Sequence, residues 1–292
     1  MRKRKHDLSL HGAVVLLTGA AHGLGREILL ELQRRGAHVV GLDLDAAALS
    51  ALRSELAPGG EALLCDVSDA AAARAAVAQV LAQYGRLDLV IVNAGVERVG
   101  PAWDMEAEDF ARVIAVNLLG AFNIVKPALG PVAAAGGHIL AIASVAALLP
   151  WPLGAAYGAS KAGLESFMRS LGFELSGSGA SCGTAYLGFV DTAMARRAFA
   201  SPQAMALLGR MPTRLLGVMP VQNAGAVARA LVDGVERRKA RLFIPSMMRV
   251  TFALRGLYPL FDGWLAGRCA PLAESLRPRP TGRSGRSPFS EQ

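Results

Sequence analysis

Residues 14–25 read Val14-Val15-Leu16-Leu17-Thr18-Gly19-Ala20-Ala21-His22-Gly23-Leu24-Gly25, an apolar run that ends in a glycine-rich turn. Four apolar residues without polar alternation suit a strand covered by helices on both faces, and a helical pattern over 23–35 follows at once. In such a strand–turn–helix unit the glycines permit the tight turn, and the helix N-terminus offers N–H groups and its positive dipole end to a phosphate. Gly19, His22, Gly23, Leu24 and Gly25 are therefore candidate contacts for a pyrophosphate. A glycine-rich turn that holds no ligand is the plain alternative, so the reading needs support from elsewhere.

Working outward, the same alternation recurs. Apolar 38–42 precedes helical 46–56, 62–65 precedes 70–84, and 89–92 is another continuous apolar run. Later strands are expected at 137–143, 181–187 and 241–244, with helices at about 106–132, 155–176 and 223–238. The pattern predicts an α/β fold, a doubly wound parallel sheet of about seven strands in a single domain with a C-terminal extension. Residues 1–9 read as a basic tail, 10–245 as the folded domain, 246–276 as an apolar extension, and 277–292, dominated by Pro, Gly, Ser and Arg, as a disordered tail. Stretch 193–219, rich in Met, Leu, Arg and Pro, reads as a mobile segment of short helices over a site.

With 292 residues, 52% of them hydrophobic, the chain can bury a sizeable core. Three cysteines, Cys65, Cys182 and Cys269, without a paired or His-clustered spacing, argue against a disulfide framework and a metal site. The formal charge of +8 is concentrated in the basic ends, few aromatics accompany it, and nucleic acid is set aside as a partner. Asp7, Ser9 and His11 interrupt the N-terminal region, which speaks against a secretory signal. Arg249, Arg255, Pro259 and Asp262 do the same for a membrane span over 247–267. A cytoplasmic protein is expected.

Asp43 ends the second strand, 24 residues beyond Gly19, where a carboxylate can accept hydrogen bonds from an adenosine ribose and repel a 2′-phosphate. Leu44 follows rather than a base, which favours NAD(H) over NADP(H), although a cationic His22 would soften the preference. The competing role for Asp43 or Asp45 is to cap the next helix. Asp66, ending the third strand, can hold an adenine edge or cap a turn.

Tyr157 and Lys161 lie four apart in a helical stretch and so on one face, where an ammonium can stabilise a phenolate and lower the phenol pKa. A tyrosine tuned in this way exchanges a proton with an alcohol. Ser144, thirteen residues earlier at a strand's carboxyl end, lies where such sheets bind ligands, and its hydroxyl can hold a substrate oxygen or cap a helix.

Thr18-Gly19-x3-Gly23-x-Gly25, Asp66-Val67, Asn93-Ala94-Gly95, Asn117, Ser144 and Tyr157-x3-Lys161 together resemble the classical short-chain dehydrogenase/reductase family over about residues 10–244. The resemblance implies a Rossmann-type domain and hydride transfer between an alcohol and a nicotinamide cofactor. It makes Tyr157 the general acid/base, Lys161 its partner and a ribose ligand, Ser144 the substrate-oxygen donor and Asn117 the holder of a relay water. It places Asp66, Val67, Asn93, Ala94 and Gly95 near the cofactor, with Val190 and Thr192 at its phosphate or carboxamide region, and it implies a homodimer. One departure is Leu187-Gly188 where the family has Pro-Gly.

The loop Val145-Ala146-Ala147-Leu148-Leu149-Pro150-Trp151, together with Met194, Phe199, Met205, Leu207 and Leu208, predicts an apolar substrate such as a lipophilic secondary alcohol or ketone. Core or dimer contacts are the competing use of those residues. A binding protein that senses NAD(H), or a membrane-docked scaffold, is the rival class. The apolar stretches of 246–267, beside basic residues at 237–241, fit burial over the pocket or at an interface, with peripheral membrane contact as the alternative.

Overall fold

The computed structural model describes residues 7–149, 152–200 and 220–276. Strands β1 (Val14–Thr18), β2 (His38–Asp43), β3 (Glu61–Leu64), β4 (Leu89–Val92), β5 (His138–Ser144), β6 (Ser181–Leu187) and β7 (Arg241–Ile244) form one sheet in the order β3-β2-β1-β4-β5-β6-β7. Every pairing is parallel, so the expected doubly wound sheet is the one that forms.

Successive side chains of a strand point to opposite faces, and both faces of this sheet are covered. Val15 and Leu17 of β1 enter the core beneath α1 (Gly23–Arg34), α2 (Ala46–Arg53) and α8 (Ala224–Glu236). Val14 and Leu16 enter the opposite core, beneath α3 (Ala70–Tyr84), α5 (Gly120–Ala134) and α6 (Ala155–Glu174). That is why the strand is apolar without alternation: each buried Val or Leu contributes about 1.5–3 kcal/mol, and neither face can spare it. The strand order reverses between β1 and β4, which opens a crevice at their carboxyl ends.

Several boundaries differ from the sequence expectation. The helix expected over 106–132 is α4 (Ala107–Ile114), a π-helical turn (Ala115–Leu119) and then α5. A single wide turn leaves the apolar periodicity nearly intact, so spacing does not reveal it. Strand β3 stops at Leu64, so Asp66 stands in the following turn rather than at the strand end. Leu8, in the stretch read as tail, is buried and its N–H donates to Glu236 O at 2.7 Å.

The extension forms α9 (Met248–Leu254), a 3₁₀ segment (Arg255–Phe261) and α10 (Asp262–Leu276), broken where Arg255-Gly256 and Pro259 fall. Met248 and Phe252 of α9 pack on Val145, Leu148, Leu149, Tyr186 and Phe243 as a third core cluster. Of the segment read as a mobile cover, α7 (Ala193–Phe199) is seen. Met205, Leu207 and Leu208, with the rest of 201–219, lie outside the described residues, as do Pro150, Trp151 and the tail 277–292.

Candidate active site

At the crevice the hydroxyl of Thr18, last residue of β1, accepts the N–H groups of both Asn93 and Ala94 at 3.0 Å, tying β1 to the end of β4. The Asn93 amide donates in turn to the carbonyls of Thr18 (3.1 Å) and Gly19 (3.0 Å), so this side chain braces the glycine turn. Gly19 has φ +65°, and a Cβ there would lie 2.9 Å from Ala94 Cα. A Cβ on Gly25 would lie 1.8 Å from the Gly19 carbonyl oxygen, which no side chain can tolerate.

Helices α2, α3, α7 and α8 are capped by the side chains of Asp45, Asp69, Thr192 and Asn223. Helix α1 has no side-chain cap on its N-cap residue His22 and no acid in its first turn. Its N-terminal N–H groups are left for an acceptor from outside, and the bare glycine backbone gives a phosphate room to approach. These residues fit a dinucleotide. Leu24 contributes backbone here, its side chain being buried in the core. Thr192 lies against the same turn: a Cβ on Gly23 would meet its methyl at 3.4 Å, while its hydroxyl accepts from Ala195 N–H at 3.2 Å. Val190 is buried in the core and bridges to Gln222 through backbone.

Asp43 does not cap a helix. Its Oδ2 accepts from Ala21 N–H at 2.9 Å and its Oδ1 from Leu44 N–H at 2.8 Å, with Asp45 N–H at 3.2 Å, so the carboxylate is held at the rim of the crevice. Asp45 is the cap of α2, and it also takes His22 Nε2 at 2.9 Å. Those bonds, the Ala48 N–H first and His22 second, hold the Asp45 carboxyl below its ordinary range. Asp66 Oδ1 accepts from Ser68 N–H (2.9 Å) and Ser68 Oγ (2.6 Å), which makes it a turn former and lowers its pKa. Val67 beside it is buried against Gly120.

Ser144 ends β5, and its Oγ accepts from Ala146 N–H at 3.2 Å, capping a 3₁₀ turn at Val145–Ala147. The phenol of Tyr157, on the first turns of α6, neighbours that hydroxyl closely enough for Ser144 to favour its ionised form. One turn on, Lys161 Nζ donates to Ile142 O at 2.9 Å and lies 5.7 Å from the Tyr157 ring centroid. Burial lowers the ammonium's pKa to about 8. Burial also pushes the Tyr157 phenol up to about 12, against a smaller lowering from neighbouring Ser144. Desolvation thus outweighs the lowering that the Tyr–Lys spacing predicts.

Asn117 stands in the π-helical turn. Its Oδ1 accepts from Val96 N–H at 2.8 Å, and its Nδ2 donates to Val96 O and to Ser160 Oγ, both at 2.9 Å. Ser160 Oγ donates onward to the Tyr157 carbonyl at 2.7 Å. Gly95 is enclosed between these groups: a Cβ there would lie 3.3 Å from Asn117 Oδ1 and 3.6 Å from Lys161 Nζ. The Asn117 side chain is thus occupied with positioning the Gly95–Val96 backbone.

Sequence reasoning missed Glu97. Two residues past Gly95 and partly buried, its carboxyl is raised to about 7 by desolvation, with Arg197 of α7 opposing, and its charge pushes the Tyr157 phenol further up. An acid directly after the apolar turn at Ala94-Gly95-Val96 was the available signal. No cluster of three metal-ligating side chains occurs among the described residues. Cys65 and Cys182 are buried and not joined in a disulfide; the Cys65 thiol is raised to about 11 by burial, and the Cys182 thiol donates to Met168 O at 3.2 Å.

Residues 13–203 match the family model of the short chain dehydrogenases. The chain is 34% identical over 242 residues to a D-threitol dehydrogenase of Mycolicibacterium smegmatis, spanning 79% of this chain and 92% of that protein. It is 31% identical over 221 residues to the 3-oxoacyl-acyl-carrier-protein reductase of Escherichia coli, spanning 75% and 90%. A short chain dehydrogenase/reductase from Burkholderia phymatum, solved in complex with NAD, superposes with a TM-score of 0.73 at 28% identity, over 85% of this chain and 94% of that one. A capped-sheet crevice with a bare glycine turn, a Ser–Tyr–Lys group at its floor and these likenesses together make the chain a member of the short-chain dehydrogenase family, an oxidoreductase that binds a nicotinamide cofactor.

Proposed function

We propose that the protein moves a hydride between a secondary alcohol or its ketone and NAD(H), with Tyr157 as the acid/base. The observation that carries this reading is the convergence of Ser144 at the end of β5 with Tyr157 and, one helical turn on, the buried Lys161 ammonium, whose Nζ lies 5.7 Å from the Tyr157 ring centroid. When bound, the nicotinamide supplies or takes the hydride, and its oxidised form brings positive charge. Tyr157 takes the hydroxyl proton in oxidation and returns it in reduction, Ser144 holds the substrate oxygen, and Lys161 keeps a cation beside the phenolate. Gly19, Gly23, Leu24 and Gly25 would hold the pyrophosphate, Asp66, Val67 and Gly95 the adenosine and nicotinamide sides, and Thr192 the carboxamide region.

Asp43 supports NAD(H) over NADP(H), since a carboxylate fixed at the rim would face a 2′-phosphate. His22, paired to Asp45, supplies little net positive charge to offset that. Titrating both reduced cofactors should show tighter binding of NADH, and Asp43→Ala should narrow or reverse the gap. A preference for NADPH in the unaltered protein overturns the assignment.

For the substrate, Val145, Leu148 and Leu149 flank Ser144 and favour an apolar body, although part of that surface is spent on the cluster with α9. Glu97 favours a second reading, a substrate with a further hydroxyl for its carboxylate, and the threitol-oxidising relative accords with it. Turnover of lipophilic ketones against vicinal diols separates the two. Exposed Phe110, Leu119, Phe122 and Phe173 on α4, the π turn, α5 and α6 support a homodimer through that layer.

Tyr157→Phe keeps the ring and removes the proton carrier. Turnover should fall by roughly 10²-fold or more while NADH titrates as before. Undiminished turnover in the folded variant removes Tyr157 from the chemistry, and a wild-type chain that binds NADH yet turns over no alcohol or ketone favours a sensor.

A further inference from the structure

Helix α9 is apolar on two opposite sides. Met248 and Phe252, four residues apart, face the third core cluster, whereas Met247, Val250 and Leu254 lie on the outward stripe. That stripe continues through the 3₁₀ segment into α10 as Leu257, Leu260, Phe261 and Trp264. These seven outward residues are 40 to 78% exposed. They recur every three or four positions and so form one band rather than scattered contacts. A surface helix of a globular protein has one apolar face, and a second, continuous one in water marks an interaction surface.

Charge selects the partner. Residues 237–292 contain eleven Lys and Arg against three Asp and Glu, a net +8 that equals the formal charge of the entire chain, so the first 236 residues sum to zero. Some of these cations are committed: Arg238 donates to the carbonyls of Gly136 and Gly137, and Arg255 to Glu165. Arg241 and Arg249 are exposed, and the Arg268 guanidinium lies 5.2 Å over the Trp264 ring at the far end of the band. An apolar stripe bordered by Arg, with an aromatic–Arg pair at its end, matches a headgroup layer: side chains enter the acyl boundary while cations remain among phosphates. A second copy of the chain would bring a like-charged surface to the same band, which opposes self-association there. Helix α10, at 15 residues with Pro271 and Glu274, is too short and too polar to span.

We infer that the band from Met247 to Trp264 docks the protein in-plane on an anionic lipid surface. The docking element is fastened to the domain through Met248 and Phe252, and a Cβ on Gly188 would lie 3.7 Å from Met248 Sδ, so the membrane-facing segment adjoins the loop after β6.

The test is co-sedimentation of the full chain with vesicles of phosphatidylcholine alone and of phosphatidylcholine mixed with phosphatidylglycerol, at low and high salt. Pelleting should be about tenfold greater with the anionic vesicles and should fall with salt. Leu260→Asp/Trp264→Asp, at two exposed positions, should lower it by about tenfold or more with thermal stability and turnover in solution unchanged. A milder pair, Val250→Ser/Leu257→Ser, reads the same loss without added charge and covers the case in which the first pair does not fold. Equal pelleting on both vesicle types, or none, overturns the inference. So does a variant that changes the sedimenting mass of the protein while vesicle binding persists, which would assign the band to a second copy.

Discussion

At the scale of single residues, the site sets two buried titratable groups against each other's ordinary behaviour. Lys161 is drawn down to about 8 and Tyr157 up to about 12, both by loss of water, and Glu97 adds a negative charge that opposes the phenolate. With a pKa of about 7, Glu97 is ionised on the alkaline side, where the phenolate must form. Glu97→Gln removes that charge, so the rise of oxidation rate with pH should move to lower pH, by on the order of half a unit. A stability effect accompanies it, with a definite sign. The folded-state pKa lies above the ordinary carboxyl value, so the folded state binds more protons between those two pH values and loses stability as pH rises through about 7. The Gln variant should lack that loss. Kinetic pH profiles and melting curves from pH 5 to 8 on both proteins test this, and superimposable profiles would place Glu97 too far from the phenol to matter.

At the scale of elements, the glycine turn is the part most exposed to a small change. A methyl on Gly25 would overlap the Gly19 carbonyl and the Asn93 amide, 1.8 and 2.7 Å away, so turn, helix and β4 brace must separate. Gly25→Ala should cost about 1–3 kcal/mol and weaken NADH binding by tenfold or more, read from melting and fluorescence titration. A variant that binds NADH as tightly as the wild type would move the pyrophosphate site elsewhere. This element was fully legible beforehand, because an apolar run, a glycine turn and a helical period each constrain the same backbone. So were the seven strands, and in β1 and β4 the continuous apolar runs are what two covered faces require. The π-helical turn at Asn117 was not, since one wide turn scarcely disturbs a 3.6-residue period. Nor were the partners of Asp43 and Asp66: the residue types announce a carboxylate at a strand end, while the N–H groups that hold it come from turns whose path spacing cannot give. Glu97 escaped because its significance lies in burial beside Tyr157, 60 positions away, and burial of a loop acid leaves no periodic trace.

For the whole molecule, the question is how an extension with so much exposed apolar surface stays in place. Glu165 of α6 is buried, and its Oε1 accepts from Arg255 at 2.6 Å and from the Tyr186 hydroxyl at 3.1 Å, with Arg169 at 3.9 Å. Burial, with the Glu165 charge behind it, holds the Tyr186 phenol far above its ordinary pKa and so keeps it a donor. Phe252 lies between the guanidiniums of Arg241 (5.1 Å) and Arg255 (4.4 Å) and 5.5 Å from the Tyr186 ring. One side chain, Arg255, therefore joins the 3₁₀ segment to α6 by charge and to α9 by stacking. Arg255→Met leaves a buried carboxylate with a weaker partner and should cost about 2–4 kcal/mol, lowering Tm by roughly 5–10 °C. Because most of that cost is an uncompensated charge and not a lost attraction, Glu165→Gln/Arg255→Met should recover more than half of it. Thermal unfolding of the single and double variants decides: a single variant that melts with the wild type would mean the extension is fastened by Met248 and Phe252 alone, and a double variant no better than the single would mean that Arg255 acts through packing on Phe252 instead of through Glu165.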